Sequence, residues 1–206
     1  NAIDSVWNND SIISLIEEAH EHEKEIYFCM PHIFRKETIR KYEEHYNHIF
    51  TQNWDGVLIR NYESYEFLRE HDFEKNIVTD YNLYQFNSYA KNFWMNEQVE
   101  STTAPLELNY RELQDAGVEN SELIVYGYLP MMVSAQCVKK TTKGCDKQKE
   151  KLLIKDRYQK NFAVRNFCDY CYNVIYNTSP VVLTDQVEEV FHLNPKALRL
   201  HFTNEN

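Results

Sequence analysis

Gly56-Val57-Leu58-Ile59-Arg60-Asn61-Tyr62-Glu63-Ser64-Tyr65-Glu66-Phe67-Leu68-Arg69-Glu70, with Ile77-Val78-Thr79 a few residues beyond, reads as one strand–helix–strand unit. Gly56–Ile59 is apolar without polar alternation, as suits a strand buried on both faces. The pattern repeats outward in both directions. Further strand-like runs lie at Ile26–Met30, Val99–Thr103 and Leu123–Tyr126, and helical patterns at Arg35–Phe50, Tyr84–Asn96 and Tyr110–Ala116. Ser11–His20 places Ile12, Leu15, Ile16 and Ala19 on one helical face, with Asp10 as N-cap. Gly117 is placed to end its helix, and Thr184–Phe191 leads as a last helix into a final strand, Ala197–Phe202.

Units of about 20–30 residues are the spacing of right-handed βαβ crossovers in a parallel sheet. No G-x-G-x-x-G follows the first strand, and only four glycines occur, so a dinucleotide-binding open sheet has no support. The expected fold is therefore α/β, a (β/α) TIM-like barrel. Six strands and 206 residues fall short of the eight strands and about 250 residues of a full barrel, so the barrel is expected to be incomplete. Asn1-Ala2 is compatible with a cloning scar on an excised piece. An incomplete barrel leaves two unpaired sheet edges, an expected site of self-association.

Composition bounds the class. A hydrophobic content of 43% supports a sizeable core, and 15 tyrosines with few glycines exclude a low-complexity or disordered chain. No apolar run is long enough for a membrane span, and Asn1-Ala2-Ile3-Asp4 has neither the basic start nor the apolar run of a signal peptide. The expectation is a cytoplasmic chain with reduced thiols, which disfavours a disulfide framework. The net charge of −10 argues against indiscriminate nucleic-acid binding. Its distribution is uneven, because Cys137–Cys171 holds ten basic residues and four acids. The chain divides into the βα repeats (1–136), a Cys-rich basic segment (137–178) and the last helix and strand (179–206).

Four of the five cysteines, Cys137, Cys145, Cys168 and Cys171, fall in that segment, the last two as C-x-x-C. Thiolates at such spacing can converge on one soft metal. Structural zinc usually shows two short knuckles, whereas an iron–sulfur cluster tolerates uneven spacing. Spacing alone leaves cluster, zinc and unligated thiols open. Cys29, in an apolar run, reads as a small buried hydrophobe.

Motifs for hydrolysis are weak. His20-Glu21-His22-Glu23-Lys24 lacks the second zincin histidine and reads as an exposed helix end. There is no G-x-S-x-G elbow, and Ser134 reads as structural. Cys29 and His32 flank Pro31 at a strand end and need not face each other. In a β/α barrel, chemistry collects where strands end. There the chain sets His32, Arg60, Asn61, Asp80, Asn82, Glu107, Tyr126 and Tyr128. Asp80 with His32 would suit proton transfer, and Arg60 would hold a phosphate or carboxylate.

Tyr126-Gly127-Tyr128-Leu129-Pro130-Met131-Met132-Val133-Ser134-Ala135-Gln136-Cys137 resembles the collagenase-like peptidases of family U-thirty-two. The likeness continues through Gly144-Cys145, Leu153-Ile154-Lys155-Asp156-Arg157, Cys168 to Asn177 and Arg199-Leu200-His201-Phe202-Thr203, with Pro31-His32-Ile33-Phe34-Arg35 and Thr79-Asp80-Tyr81-Asn82-Leu83 upstream. The resemblance implies the C-terminal part of that family's barrel. It also implies one of two activities: a peptidase of undefined mechanism, or a [4Fe–4S] enzyme hydroxylating RNA or a quinone precursor. By position, Cys137, Cys145, Cys168 and Cys171 would ligate the cluster, with zinc as the alternative metal. The barrel mouth would then hold an RNA base or a small aromatic substrate, with Arg60, Asn82 and Tyr126 as its binding residues, and the basic segment would contact phosphate. A peptidase would instead draw on His32, Asp80 and Glu107, and a third reading is a binding module that the metal only folds.

Overall fold

The computed structural model describes residues 9–149 and 151–205. Asn1-Ala2 lies outside them. Six strands form one parallel sheet in the order β1 (Tyr27–Cys29), β2 (Gly56–Ile59), β3 (Asn76–Thr79), β4 (Ser101–Thr103), β5 (Ser121–Gly127) and β11 (Ala197–His201). A two-residue strand, β10 (Val181–Val182), pairs antiparallel with β5. The sheet curls until residues of β1 and β11 line one cavity, which makes it the half-barrel that the repeat spacing predicts. Among the described residues, no helix is long and apolar enough to cross a membrane.

The helices are α1 (Asn9–Glu21), α2 (Lys36–Glu44), α3 (Tyr46–Phe50), α4 (Tyr62–Glu70), α5 (Ser88–Asn96), α6 (Tyr110–Ala116), α7 (Val138–Thr142) and α8 (Val187–His192). Three of them start on an asparagine. Asn61 Oδ1 accepts the Ser64 N–H at 2.7 Å, Asn87 Oδ1 that of Ala90 at 3.0 Å, and Asn109 forms a capping box with Glu112. Each such cap satisfies a helix donor that would otherwise lack a partner and contributes about 1 kcal/mol.

Several expected elements change shape. Arg35–Phe50 splits into α2 and α3 at His45, whose φ of −119° is not helical. The helix expected from Tyr84 starts at Ser88, because Tyr84 sits at φ +45° and Asn87 supplies the cap. α1 begins at Asn9, so Asp10 lies inside the helix and does not cap it; its side chain falls outside the described residues. Ile12 and Ile16 are buried, whereas Leu15 is exposed toward the cavity.

The largest difference is in the Cys-rich segment. β6 (Pro130–Ser134), β7 (Lys151–Lys155), β8 (Asn161–Phe167) and β9 (Tyr172–Tyr176) build a second, antiparallel sheet in the order β6-β9-β8-β7. The half-barrel core is strongly aromatic, with Phe28, Tyr42, Phe50, Trp54 and Phe67 in one cluster. The second sheet packs its own apolar face, Phe167, Tyr172, Val174 and Tyr176, against Ile33 and Tyr128. It therefore covers the end of the half-barrel where the strands terminate.

Candidate functional site

Asp80 directly follows β3 and is almost wholly buried. Its Oδ2 accepts from Arg60 Nε at 2.8 Å, and its Oδ1 accepts from Arg199 Nη1 at 2.8 Å and from the Tyr81 N–H at 2.9 Å. Arg199, on β11, is itself saturated. It pairs with Glu122 through Nε at 2.7 Å and again through Nη2, which also donates to Thr103 Oγ1 at 2.9 Å. One buried network thus ties β2, β3, β4, β5 and β11 together. Burial alone would push the Asp80 carboxyl up, but the Arg199 and Arg60 charges overcome it and hold it well below the usual carboxylate range.

Two histidines stand over this network. His32 follows Pro31 after β1, in a turn fixed by Asn61 Nδ2 donating to Pro31 O at 2.9 Å and to His32 O at 3.3 Å. His201 ends β11 at the opposite end of the sheet. Burial, seconded by the Arg60 charge, lowers His32 to about 3. Burial also lowers His201 to about 4, with Asp80 opposing and Arg199 and Arg60 assisting. Both imidazoles are neutral near pH 7. With both Asp80 oxygens engaged by guanidinium groups and backbone, no hydrogen bond joins Asp80 to His32 among the described residues.

These groups line a cavity of about 730 Å³ on the concave side of the sheet. Its polar wall includes Cys29, His32, Arg60, Arg165, Arg199 and His201, and its apolar wall includes Leu58, Phe167, Leu200 and Phe202. The floor is formed by the half-barrel, and part of the roof by the second sheet through Arg165, Phe167 and Tyr176.

The sequence-derived site residues divide. His32, Arg60 and Asp80 come together. Asn82 supports Arg60 by donating Nδ2 to its carbonyl at 2.6 Å, while its buried Oδ1 has no partner. Tyr126 is half-buried against the Phe202 ring and does not line the cavity. Glu107 is exposed in the turn after β4 and is not brought to the group. Cys29, expected to be a buried hydrophobe, is half-buried and lines the cavity. Glu122 was not singled out by sequence, and Arg199 and His201 appeared only within a stretch that carries the family resemblance, with no role at the site. The available signal was Ala197-Leu198-Arg199-Leu200-His201, where polar residues alternate with apolar ones and so share one strand face.

The thiols sit at the rim of the second sheet. Cys137 caps α7, its Sγ accepting the Lys140 N–H at 3.5 Å, and Cys145 follows Gly144 on an exposed turn. Cys168 and Cys171 flank the β8–β9 turn, where Cys171 adopts a left-handed φ of +53°. All five cysteines are free. Burial, then the proximity of Cys137 and Cys145, pushes the Cys168 thiol up. Among the described residues, no three His, Cys, Asp or Glu side chains stand close enough to hold a metal ion as they are.

The surroundings of the thiols fit a polar inorganic group nonetheless. Asn166 and Asn173 face each other across β8 and β9, both buried. Asn173 Oδ1 accepts the Val138 N–H at 2.9 Å, while Asn173 Nδ2 and both polar atoms of Asn166 have no partner. Asn166 lies one residue before the end of β8 and Asn173 one residue after the start of β9, so both stand next to the turn that carries Cys168 and Cys171. The buried Lys139 ammonium lies 2.6 Å from Asp146 and acts on Cys168 as a nearby cation. Orphaned amide donors, a buried cation and soft sulfur donors at one rim are the surroundings that a thiolate-bound metal group requires.

An α/β half-barrel with a polar chamber, roofed by a thiol-bearing antiparallel sheet, defines the class of protein. The chain belongs to peptidase family U32, whose family model matches residues 4–198. Neither a comparison with curated proteins nor one with solved structures returns a match.

Proposed function

We propose that this chain is an iron–sulfur enzyme domain of its family, acting in the hydroxylation of RNA or of a quinone precursor. The observation that carries the reading is that buried Lys139 and the unpartnered amides of Asn166 and Asn173 sit in the sheet region that bears Cys137, Cys145, Cys168 and Cys171, with Cys137 and Cys145 near enough to raise the Cys168 thiol. Cys137, Cys145, Cys168 and Cys171 would hold a [4Fe–4S] cluster, with zinc as the alternative occupant. Such a cluster supplies one-electron chemistry when bound. The chain's own residues do the rest. Lys139 would offset thiolate charge, the unpartnered amides of Asn166 and Asn173 would supply polar donors beside the group, and the chamber would take a small aromatic substrate or an RNA base. Lys and Arg side chains of the basic segment would meet phosphate. Free thiols suit the cytoplasm, and the unpaired edges β1 and β11 suit self-association.

The test is anaerobic purification followed by absorbance from 300 to 700 nm and assays for iron, sulfide and zinc. A brown protein with a broad band near 400 nm and roughly four irons and four sulfides per chain supports the reading. One zinc per colourless chain makes the thiols structural and leaves the peptidase activity in the family's name to be assayed. Neither metal removes the thiol centre from the proposal.

A further inference from the structure

We propose that the chamber binds a small organic acid, with Arg60, His32 and His201 taking its carboxylate and the apolar wall taking its body. The inference deepens the proposed function by naming the substrate class, and rests on the chamber being the substrate site; it does not rest on the thiol centre.

The first support is a count of donors. Arg60 spends Nε on Asp80 and holds Met30 O only loosely, through Nη1 at 3.4 Å. Its Nη2 has no partner among the described residues, although the side chain is only 10% exposed and borders the cavity. That edge is open to the cavity and offers a ligand a charge-assisted donor. Arg199, by contrast, has all three nitrogens engaged.

The histidines point the same way. Neither imidazole has a hydrogen-bond partner among the described residues, yet both border the cavity. They reach it from β1 and β11, and each is close enough to Arg60 and Asp80 to be perturbed by both. Being neutral, each offers one N–H donor without bringing a competing charge.

Charge and shape narrow the class. Arg199 is saturated by Asp80, Glu122 and Thr103, so at this end of the chamber Arg60 is the guanidinium with an edge left for a ligand. One guanidinium edge and two imidazole N–H groups match the two oxygens of a planar carboxylate better than the three terminal oxygens of a phosphate dianion. Leu58, Phe167, Leu200 and Phe202 give the ligand's body an apolar wall, and about 730 Å³ is ample for a small molecule.

The experiment is isothermal titration of the metal-free full chain at pH 7 and low salt with benzoate, benzamide and inorganic phosphate. Benzoate should bind saturably, and benzamide, its neutral isostere, at least tenfold more weakly. Arg60→Lys keeps a cation beside Asp80 but loses the unpaired nitrogen, and His201→Phe keeps the ring volume. Each should weaken benzoate at least fivefold, with folding checked by circular dichroism. If Arg60→Lys fails to fold, His201→Phe carries the test. Equal binding of benzoate and benzamide, tighter binding of phosphate than of benzoate, no benzoate binding, or unchanged affinity in a folded His201→Phe variant would each overturn the proposal. Because the titration uses metal-free protein, a failed iron assay leaves its result standing, and a failed titration leaves the iron assay standing.

Discussion

At the scale of single residues, Asp80 illustrates how burial and charge compete. A carboxylate this deep is tolerated because two guanidinium groups approach it from different strands and a backbone N–H completes its shell. Asp80→Asn keeps the volume but leaves Arg60 and Arg199 buried against a neutral amide. Breaking a buried ion network in this way costs about 3–5 kcal/mol. In a chain of this length that lowers the melting temperature by roughly 10 °C. A thermal melt within about 2 °C of the unsubstituted protein would show that Arg199, through Glu122, holds the sheet without Asp80.

The histidines set the pH response. Both have folded pKa values, about 3 and about 4, below the unfolded value near 6.5. Between those limits the unfolded chain binds protons that the folded chain refuses, so stability is full above about pH 6.5 and falls as pH drops. The slope is up to about 1.4 kcal/mol per pH unit for each histidine. Asp80 shifts in the same direction for a different reason and adds its loss below about pH 4. Urea unfolding at pH 7, 6 and 5 should show the decline, and His201→Phe should flatten it. An unchanged slope in that variant would mean that His201 is already open to protonation in the folded chain.

At the scale of elements, close packing between strands decides what can change. Gly127, at φ +146°, lies against β11, and a Cβ there would come within 2.4 Å of His201 O. Gly56 is similarly confined between Asn76 O and the Tyr27 ring, at the other side of the sheet. Gly127→Ala and Gly56→Ala should each destabilise by about 1–3 kcal/mol. Only Gly127→Ala displaces His201, so benzoate affinity should fall in that variant and hold in Gly56→Ala. Equal losses in both would trace the effect to general loosening. The same elements show what a linear reading can see. Gly56–Ile59, Tyr62–Glu70 and Tyr110–Ala116 are found at the expected positions, because apolar runs and asparagine caps are local signals. The antiparallel sheet was hidden because Lys151-Leu152-Leu153-Ile154-Lys155 alternates within a stretch dominated by charge and cysteine. His32, Arg60 and Asp80 were legible as strand ends. Arg199 and His201 were not, since they join that group only once the sheet curls β11 toward β1.

At the scale of the whole molecule, the two sheets treat their edges differently. The antiparallel sheet ends on β7, whose exposed Lys151 and Lys155 discourage pairing, and on β6, which begins with Pro130. Among the described residues, the half-barrel has no such guard at β11. There Leu198, Leu200 and Phe202 are 43%, 53% and 55% exposed, while Arg199 turns inward to Asp80 and Glu122. A five-residue edge with apolar exposed side chains and unspent backbone groups is a template for another strand. An antiparallel β11–β11 pair about a two-fold axis satisfies both copies at once and closes the assembly as a dimer. The net charge of −10 opposes the approach, so association should strengthen as salt rises toward physiological ionic strength. Sedimentation equilibrium should therefore reveal a dimer whose population grows with both protein and salt. Leu198→Lys sets a like charge on each copy at the pairing edge without bordering the chamber, and should return the protein to monomer with benzoate affinity intact. A chain that stays monomeric up to about 100 µM at 0.15 M salt, or a Leu198→Lys variant that dimerises as before, would show that β11 is covered or pairs elsewhere.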